Sequence, residues 1–237
     1  MKRVGLIELP ALRLKDQQGK DWTMVRRRET LGSKQILGAS LSDSFEVELI
    51  NMRLSSHEWE FGNAQWGDHR ISKIACGLHL SDIDPHAFDV WGITVNYHKE
   101  RELACLVIHH LASAGAKVVG GGSDAIAEPG PYLNAGARAV VLSKDGSANR
   151  AVIAHVIGDT SGEPLQSVAF PDGRILPQSI WSHPEEWPLP TQSFVSQTLG
   201  HEYWEGLLPS SLLPIGMVYP DIGCDRTCEF CETWLYR

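Results

Sequence analysis

The amino-acid sequence predicts an α/β protein built on a doubly wound, five-stranded parallel sheet of the Rossmann-like type. Two observations support this prediction. Short apolar runs, rich in Val and Ile and bounded by Gly or polar residues, recur through residues 1–158 as buried strands do. Helix-length segments alternate with these runs. Strand and helix alternating five times favour one parallel sheet with helices on both faces.

Five runs have the length and composition of strands. The first ends before Pro10, and the second shows alternating apolar residues. In chain order the predicted strands are Arg3–Leu9, Phe45–Met52, Phe88–Tyr97, Ala116–Gly122 and Arg138–Ser143.

The segments that follow the strands predict five helices. Glu100–Ala114 is the clearest, because its leucines and Val107 recur at the spacing of one apolar face and Gly115 supplies a stop. In chain order the predicted helices are Arg28–Leu41, Ser72–Leu80, Glu100–Ala114, Asp124–Asn134 and Asn149–Ile157. Cys76 and Cys105 fall inside helical patterns and are interpreted as buried small hydrophobic residues.

The segment His57–Arg70, between the second strand and the second helix, is predicted to be a loop. It contains Trp59 and Trp66. These two side chains either cover a ligand at the edge of the sheet or close the hydrophobic core, and the sequence favours neither.

The charge of the chain argues against two classes of partner. With 21 Lys and Arg against 29 Asp and Glu, the net charge is −8, so no basic face for nucleic acid or acidic lipid is expected. No apolar stretch approaches the roughly 18 residues of a membrane span. The N-terminal stretch meets Pro10 and charged residues too early for a signal peptide. We therefore expect a cytoplasmic protein that does not associate with membranes.

The composition changes after residue 158. Residues 159–212 are rich in Pro and Trp, which predicts a stiff linker with aromatic side chains that need surfaces to cover. Residues 213–237 then begin a second domain, with Leu213–Cys224 as its opening strand.

Three cysteines lie close together near the end of the sequence. Cys224, Cys228 and Cys231 have the spacing C-x3-C-x2-C. Three thiolates on one short loop can bind three corners of a [4Fe–4S] cluster and leave its fourth iron without a protein ligand. The alternative is structural zinc, which takes four ligands, and the nearest further candidates, His183 and His201, are distant in sequence.

The segment GCDRTCEFC resembles the signature of the radical S-adenosylmethionine (radical SAM) family, C-x3-C-x-aromatic-C, with Phe230 at the aromatic position. The preceding MVYPDIGC is similar to the first barrel strand of that family. The resemblance implies that Cys224, Cys228 and Cys231 hold a [4Fe–4S] cluster. It also implies that SAM binds the open iron and is cleaved by one electron to a 5′-deoxyadenosyl radical.

The order of a doubly wound domain, a proline-rich connector and a cluster loop resembles the cobalamin-binding subgroup of this family, over essentially the whole chain. Lys117–Gly146 is the most similar stretch of the front domain. The resemblance implies that a corrin ring lies at the carboxyl edge of the sheet, where the loops converge. The implied cofactor-binding residues are Thr94, Val95, Asn96, Tyr97 and His98; Gly120, Gly121, Gly122 and Ser123; and Leu142, Ser143 and Lys144.

Two details of the implied site are open or unusual. The three glycines either admit the dimethylbenzimidazole tail of cobalamin between sheet and helix or form a tight turn. Many cobalamin proteins carry a cobalt-ligating His in the motif D-x-H-x-x-G after the first strand. The corresponding loop here, Glu8–Gln18, has no His. The methyltransferases of the subgroup are similarly without it.

The sequence therefore predicts the N-terminal part of a cobalamin-dependent radical SAM enzyme, with a methyltransferase acting on a small-molecule or peptide substrate as the leading activity. The rest of the barrel would lie beyond Arg237, in a longer protein or on a separate chain. One alternative is a non-catalytic cobalamin-binding module. Others are a ring-forming or rearranging enzyme of the same subgroup, and a methylthiotransferase-like enzyme, for which only Cys76 and Cys105 remain as a second cysteine set.

Overall fold

The computed structural model describes residues 1–23, 32–144, 146–159 and 162–179. Of Gly32, Ser33, Gln35, Ile36 and Leu54 only the backbone is described. In chain order the strands of these ranges are β1 (Arg3–Glu8), β2 (Ala11–Asp16), β3 (Glu46–Asn51), β4 (Glu58–Trp66), β5 (His69–Cys76), β6 (Val90–Thr94), β7 (Val118–Gly121), β8 (Ala139–Val141), β9 (Val168–Ala169) and β10 (Ile175–Leu176).

Seven of these strands form one mixed sheet in the order β10-β9-β8-β7-β6-β1-β3. The five strands from β3 to β8 are parallel neighbours, with Val4 of β1 opposite Val47 on one side and Val90 on the other. All five are strands that the sequence predicts, so the α/β class and the mostly parallel sheet are confirmed. Their apolar runs form strands because both faces of a parallel sheet are covered.

The sheet is larger than the sequence predicts. Strands β9 and β10 join its far edge in antiparallel orientation, with Val140 opposite Ala169 and Ala169 opposite Ile175. Both strands fall within the segment predicted to be linker. The sheet therefore continues beyond residue 158, where the sequence predicts the domain to end.

Helices cover both faces of the sheet, as expected. They are α1 (Gly32–Ser42), α2 (Arg101–Ser113), α3 (Ser123–Ala127), α4 (Gly130–Asn134) and α5 (Gly146–Ile157). The helices α1 and α5 pack on the face that carries Val4 and Leu6, whereas α2 and α4 pack on the face that carries Ile7 and Ile93. None of the helices in the described ranges is long and apolar enough to cross a membrane.

The predicted helix Ser72–Leu80 is wrong, and so is the predicted loop His57–Arg70. These residues form β4 and β5, which with β2 make a separate antiparallel sheet in the order β2-β5-β4. Cys76 therefore ends a strand, whereas Cys105 lies in α2 as predicted. The buried residues of β5, Ile71 and Ala75, are four residues apart, a spacing shared by one face of a helix and one face of a strand, so this spacing does not distinguish the two.

Candidate functional site

The carboxyl ends of β1 and β6 mark the switch point of the parallel sheet, and we call the region outside these ends the crevice. Strands β1 and β6 are paired neighbours in the sheet. The next parallel strand after β1, β3, lies on one side of this pair, and the next parallel strand after β6, β7, lies on the other side. Ligands of doubly wound sheets bind at such a point, outside the carboxyl ends of the strands. This edge is also where the sequence places the cofactor loops.

The loops that follow β6 and β7 are hydrogen-bonded to each other. The Val95 N–H donates to the carbonyl of Gly121 at 2.8 Å, and the Val95 carbonyl accepts from the N–H of Asp124 at 3.1 Å. Asn96 Oδ1 accepts from the N–H of Ser123 at 3.2 Å. The structure thus brings together two of the three predicted loops.

Side chains of the loop after β6 divide into a buried and an exposed group. Val95 is fully buried, and Thr94 and Asn96 are half-buried. Tyr97 is 45% exposed, and the side chain of His98 is 80% exposed. Among the predicted residues of this loop, Tyr97 and His98 are therefore the ones best placed to meet a ligand above the edge.

Two of the three glycines, Gly120 and Gly122, are closely packed by the chain itself. Gly122 has a φ of 94°, and a Cβ at this position would lie 2.4 Å from the Val95 carbonyl oxygen. A Cβ on Gly120 would lie 3.3 Å from Val140 Cγ2 and 3.7 Å from Tyr132 Cβ. The absence of side chains at Gly120 and Gly122 thus has an explanation in the packing of the domain, and the predicted role in admitting a cofactor tail stays a prediction.

The third predicted loop, Leu142–Lys144, follows β8. The Leu142 N–H donates to the carbonyl of Ser167 at 2.6 Å, Ser143 is buried, and Lys144 is exposed. Because β7 lies between β8 and β6, this loop is farther from the crevice than the other two.

A cluster centred on Asp124 lies beneath the exposed residues of the first loop. Arg101, in the first turn of α2, donates to both Asp124 oxygens, from Nε at 2.7 Å and from Nη2 at 3.0 Å. The Tyr132 hydroxyl donates to Asp124 Oδ2 at 2.5 Å, and His98 Nδ1 lies 3.5 Å from Oδ1. Arg101 also contacts Glu128. The cluster ties α2, α3 and α4 together at the predicted site.

The ionisation of this cluster follows from its contacts. Burial alone would raise the pKa of Asp124, but the hydrogen bonds from Arg101 and Tyr132 and the charge of Arg101 outweigh it and hold that pKa below its usual value. Burial, with the hydrogen bond to Asp124, raises the pKa of Tyr132. The hydrogen bond to Asp124 also raises the pKa of Arg101. Asp124 is therefore held as a carboxylate and Tyr132 as a neutral donor.

A second buried charge cluster lies at the end of β1. The Glu8 side chain is 4% exposed and pairs with Lys34 of α1 and with Arg53, whose Nη2 is 2.9 Å from Glu8 Oε1. Arg53 Nη2 also lies 3.8 Å from Glu100 Oε1, and Arg53 Nε donates to the Leu9 carbonyl at 2.9 Å. Among the described residues the cluster contains two acids and two bases, whose formal charges cancel.

Sequence reasoning missed both clusters, although one signal was available. Asp124 and Arg101 each follow the carboxyl end of one of two neighbouring predicted strands, and such ends meet at one edge of a parallel sheet. Arg53 and Lys34 gave no comparable signal, because their pairing with Glu8 depends on how α1 and the turn after β3 pack.

The small antiparallel sheet is attached to the same edge. The Leu78 N–H donates to the Met52 carbonyl at 2.7 Å, and Lys73 of β5 contacts Glu102 in the first turn of α2. Trp66, 62% exposed, lies 6.1 Å from Trp22 between ring centroids, so it does not close the core. This sheet borders the crevice on the side of β1 and α2.

The exposed side chains of the edge could contact a corrin ring, but the space beside β7 is already filled. Tyr97 and His98 stand exposed where a flat ligand could contact them, but Tyr132, which is fully buried, and Val140 fill the space beside Gly120. The residues present thus suit a ring lying across the edge. A cofactor tail inserted beside β7 would have to displace Tyr132.

The predicted cluster ligands Cys224, Cys228 and Cys231, together with Phe230, lie outside the described residues. Within the described ranges, no group of three or more His, Cys, Asp or Glu side chains is arranged to hold a metal ion. The iron–sulfur cluster and its SAM site therefore stay predictions from the sequence.

The chain was compared with protein-family models, with curated proteins and with solved structures. Neither the family models, nor the curated proteins, nor the solved structures contain a match to this chain.

Proposed function

We propose that this chain is the N-terminal part of a cobalamin-dependent radical SAM enzyme, most similar in its site to the methyltransferases of that group. The observation that carries the proposal is the meeting of the loops after β6 and β7 at the crevice beside β1, in a chain that also contains the spacing C-x3-C-x2-C. When bound, the cofactors would supply an electron to the sulfonium of SAM and a transferable methyl group.

Two exposed residues of the edge, Tyr97 and His98, support the proposed corrin site. The ring is broad and flat and carries amide side chains on its rim, which donate and accept hydrogen bonds. Tyr97 offers an aromatic surface with a hydroxyl, and the His98 ring is 80% exposed and has a second nitrogen besides the Nδ1 that lies near Asp124.

The three cysteines would complete the enzyme chemistry. Cys224, Cys228 and Cys231 would bind three irons as thiolates and leave the fourth iron for SAM, with Phe230 beside the loop. Of the remaining thiols, Cys76 ends β5 and donates to Glu58, and Cys105 lies in α2 and donates to the Pro131 carbonyl. The two belong to different elements, which argues against a second cluster of the methylthiotransferase kind.

Cobalamin binding is tested by titrating the anaerobically purified chain with hydroxocobalamin and following the visible spectrum. We expect saturable binding of one cobalamin per chain. Replacing both Tyr97 and His98 with alanine should weaken it about tenfold, the cost of losing one aromatic contact and one hydrogen bond. Ile175→Ala is the control, since Ile175 is 60% exposed on β10 at the far edge of the sheet. Absence of saturable binding, or equal weakening by the control, would contradict the proposed site.

Cluster binding is tested separately by reconstitution with iron and sulfide. We expect about four irons per chain and a broad absorbance at roughly 400 nm. Both should be lost in Cys228→Ala. The matched control replaces Cys76 and Cys105 with alanine and should keep the full iron content. Stoichiometric zinc in a closed tetrahedral site would overturn the radical SAM assignment. Cobalamin binding with no cluster would instead favour the non-catalytic cobalamin module.

A further inference from the structure

The opposite, amino-terminal edge of the sheet contains a cleft that the proposed function does not use. Its volume is about 320 Å³, and it is lined by Lys117, Arg138, His155, Val156 and Phe170. Lys117 and Arg138 directly precede the neighbouring strands β7 and β8, while His155 and Val156 lie in the last turn of α5. Phe170 follows β9, so the hairpin of β9 and β10 supplies part of the cleft.

Cationic side chains surround this cleft. The guanidinium of Arg138 is exposed and makes no ion pair or hydrogen bond with any residue that the structure describes. Lys117 Nζ is 3.4 Å from the carbonyl of Ile157, the last residue of α5. The guanidinium of Arg174 lies 4.5 Å from the centre of the Phe170 ring.

Acidic groups around the cleft only partly balance these charges. None of the five lining residues that the structure describes is acidic. Asp172 Oδ2 lies 3.8 Å from Arg174 Nε, and both side chains are more than half exposed. The hydrogen bonds from Arg3 and Lys2 lower the pKa of Asp89, and the positive charge of Lys117 contributes to the same shift. Arg138 forms no ion pair with an acidic group among the described residues. The described lining residues thus include two cationic side chains in a chain whose net charge is −8.

The floor and the wall of the cleft are apolar. Phe170 is 6% exposed, and its ring meets His155 edge-to-face at 5.6 Å between centroids. Val156 is half-buried beside them. The volume lies at the lower end of the range for small-molecule sites, which suits a small metabolite.

We propose that this cleft binds a small phosphate, either a phosphate monoester or inorganic phosphate, with Arg138 and Lys117 as its charge partners. A guanidinium presents paired N–H donors that match two phosphate oxygens, and an unpaired one at the mouth of a cleft gains most from such a ligand. In a monoester the organic group would contact Val156 and Phe170. The site is independent of cobalamin, which the proposed function places at the other edge of the sheet.

The test is a titration of the full chain with inorganic phosphate and with phenyl phosphate, at constant ionic strength, followed by calorimetry. Saturable binding of either ligand is expected, and Arg138→Gln should weaken it about tenfold or more, the cost of a charge-assisted hydrogen bond. Tighter binding of phenyl phosphate would assign the site to a monoester, and equal binding would assign it to phosphate itself.

Arg70→Gln is the matched control, because Arg70 is also exposed and unpaired among the described residues but lies on β5 of the other sheet. It should leave both affinities unchanged. Arg138 is exposed, so its replacement should also leave the urea midpoint unchanged, which checks that the variant is folded. The proposal is overturned if neither ligand binds saturably, or if Arg70→Gln weakens binding as much as Arg138→Gln does.

Discussion

Arg101 and Asp124 form a two-contact ion pair that joins the first turn of α2 to the first turn of α3. The pair lies directly below the exposed His98, and Tyr132 completes it from α4. Because each helix follows a different strand, this one carboxylate fixes the relative position of the two loops that the proposed cofactor would contact.

We expect Asp124→Asn to lower the free energy of unfolding by about 2–3 kcal/mol, since among the described residues it leaves the partly buried Arg101 with Glu128 alone as a charged partner. Urea denaturation followed by circular dichroism measures the change. Asp172→Asn is the control, because its pair with Arg174 is largely exposed and should contribute less than about 0.5 kcal/mol. Equal effects of the two substitutions would show that the Asp124 cluster is not a stabilising element.

The same pair predicts a pH dependence. The pKa of Asp124 is lowered in the folded chain, so its contribution is present above the unfolded pKa of about 3.9 and is lost as the pH falls through the lower, folded value. The difference in unfolding free energy between wild type and Asp124→Asn should therefore shrink below about pH 4. Urea titrations at a series of acid pH values test this, and a difference that stays constant or grows would contradict it.

The glycine turn after β7 is predicted to be intolerant of a side chain. Gly122→Ala should cost about 3 kcal/mol or more, because it adds a clash with the Val95 backbone to the cost of a positive φ. Gly115→Ala is the matched control: Gly115 has a similar φ of 89°, but nothing lies within 4 Å of an added Cβ. That control should cost only about 1–2 kcal/mol. Urea midpoints that fall equally would refute the role of the close approach.

Cys76 should be a slow nucleophile despite its half-exposed position. Burial, only partly offset by the charge of Arg13, raises the pKa of its thiol to about 11. We expect iodoacetamide at neutral pH to alkylate Cys76 about a hundredfold more slowly in the folded chain than in urea, since the thiolate is the reactive form. Peptide mapping by mass spectrometry separates Cys76 from the other cysteines. Equal rates in the two states would contradict the raised pKa.

The sequence was a good guide to the parallel strands and a poor one to the small sheet. Runs such as that of β1 and β6 are apolar on both faces, so their burial is evident without knowing their neighbours. Strand β4 is mostly exposed and interrupted by a bulge after Glu60, which removes the alternation that identifies a strand. The two-residue turn Gly67-Asp68 was the available signal for this hairpin.

The sequence by itself determined the order along the chain of the parallel strands and their helices. It also determined the amphipathic helix α2 and the position of the loops around Tyr97 and Gly122. Each of these features depends on residues close together in the chain. Only the tertiary structure decided that Asp124 pairs with Arg101, that Glu8 is buried between Lys34 and Arg53, and that β9 and β10 extend the sheet. These contacts join segments far apart in sequence. Their partners are selected by packing and by the cost of burying an unpaired charge, and no local pattern records that selection.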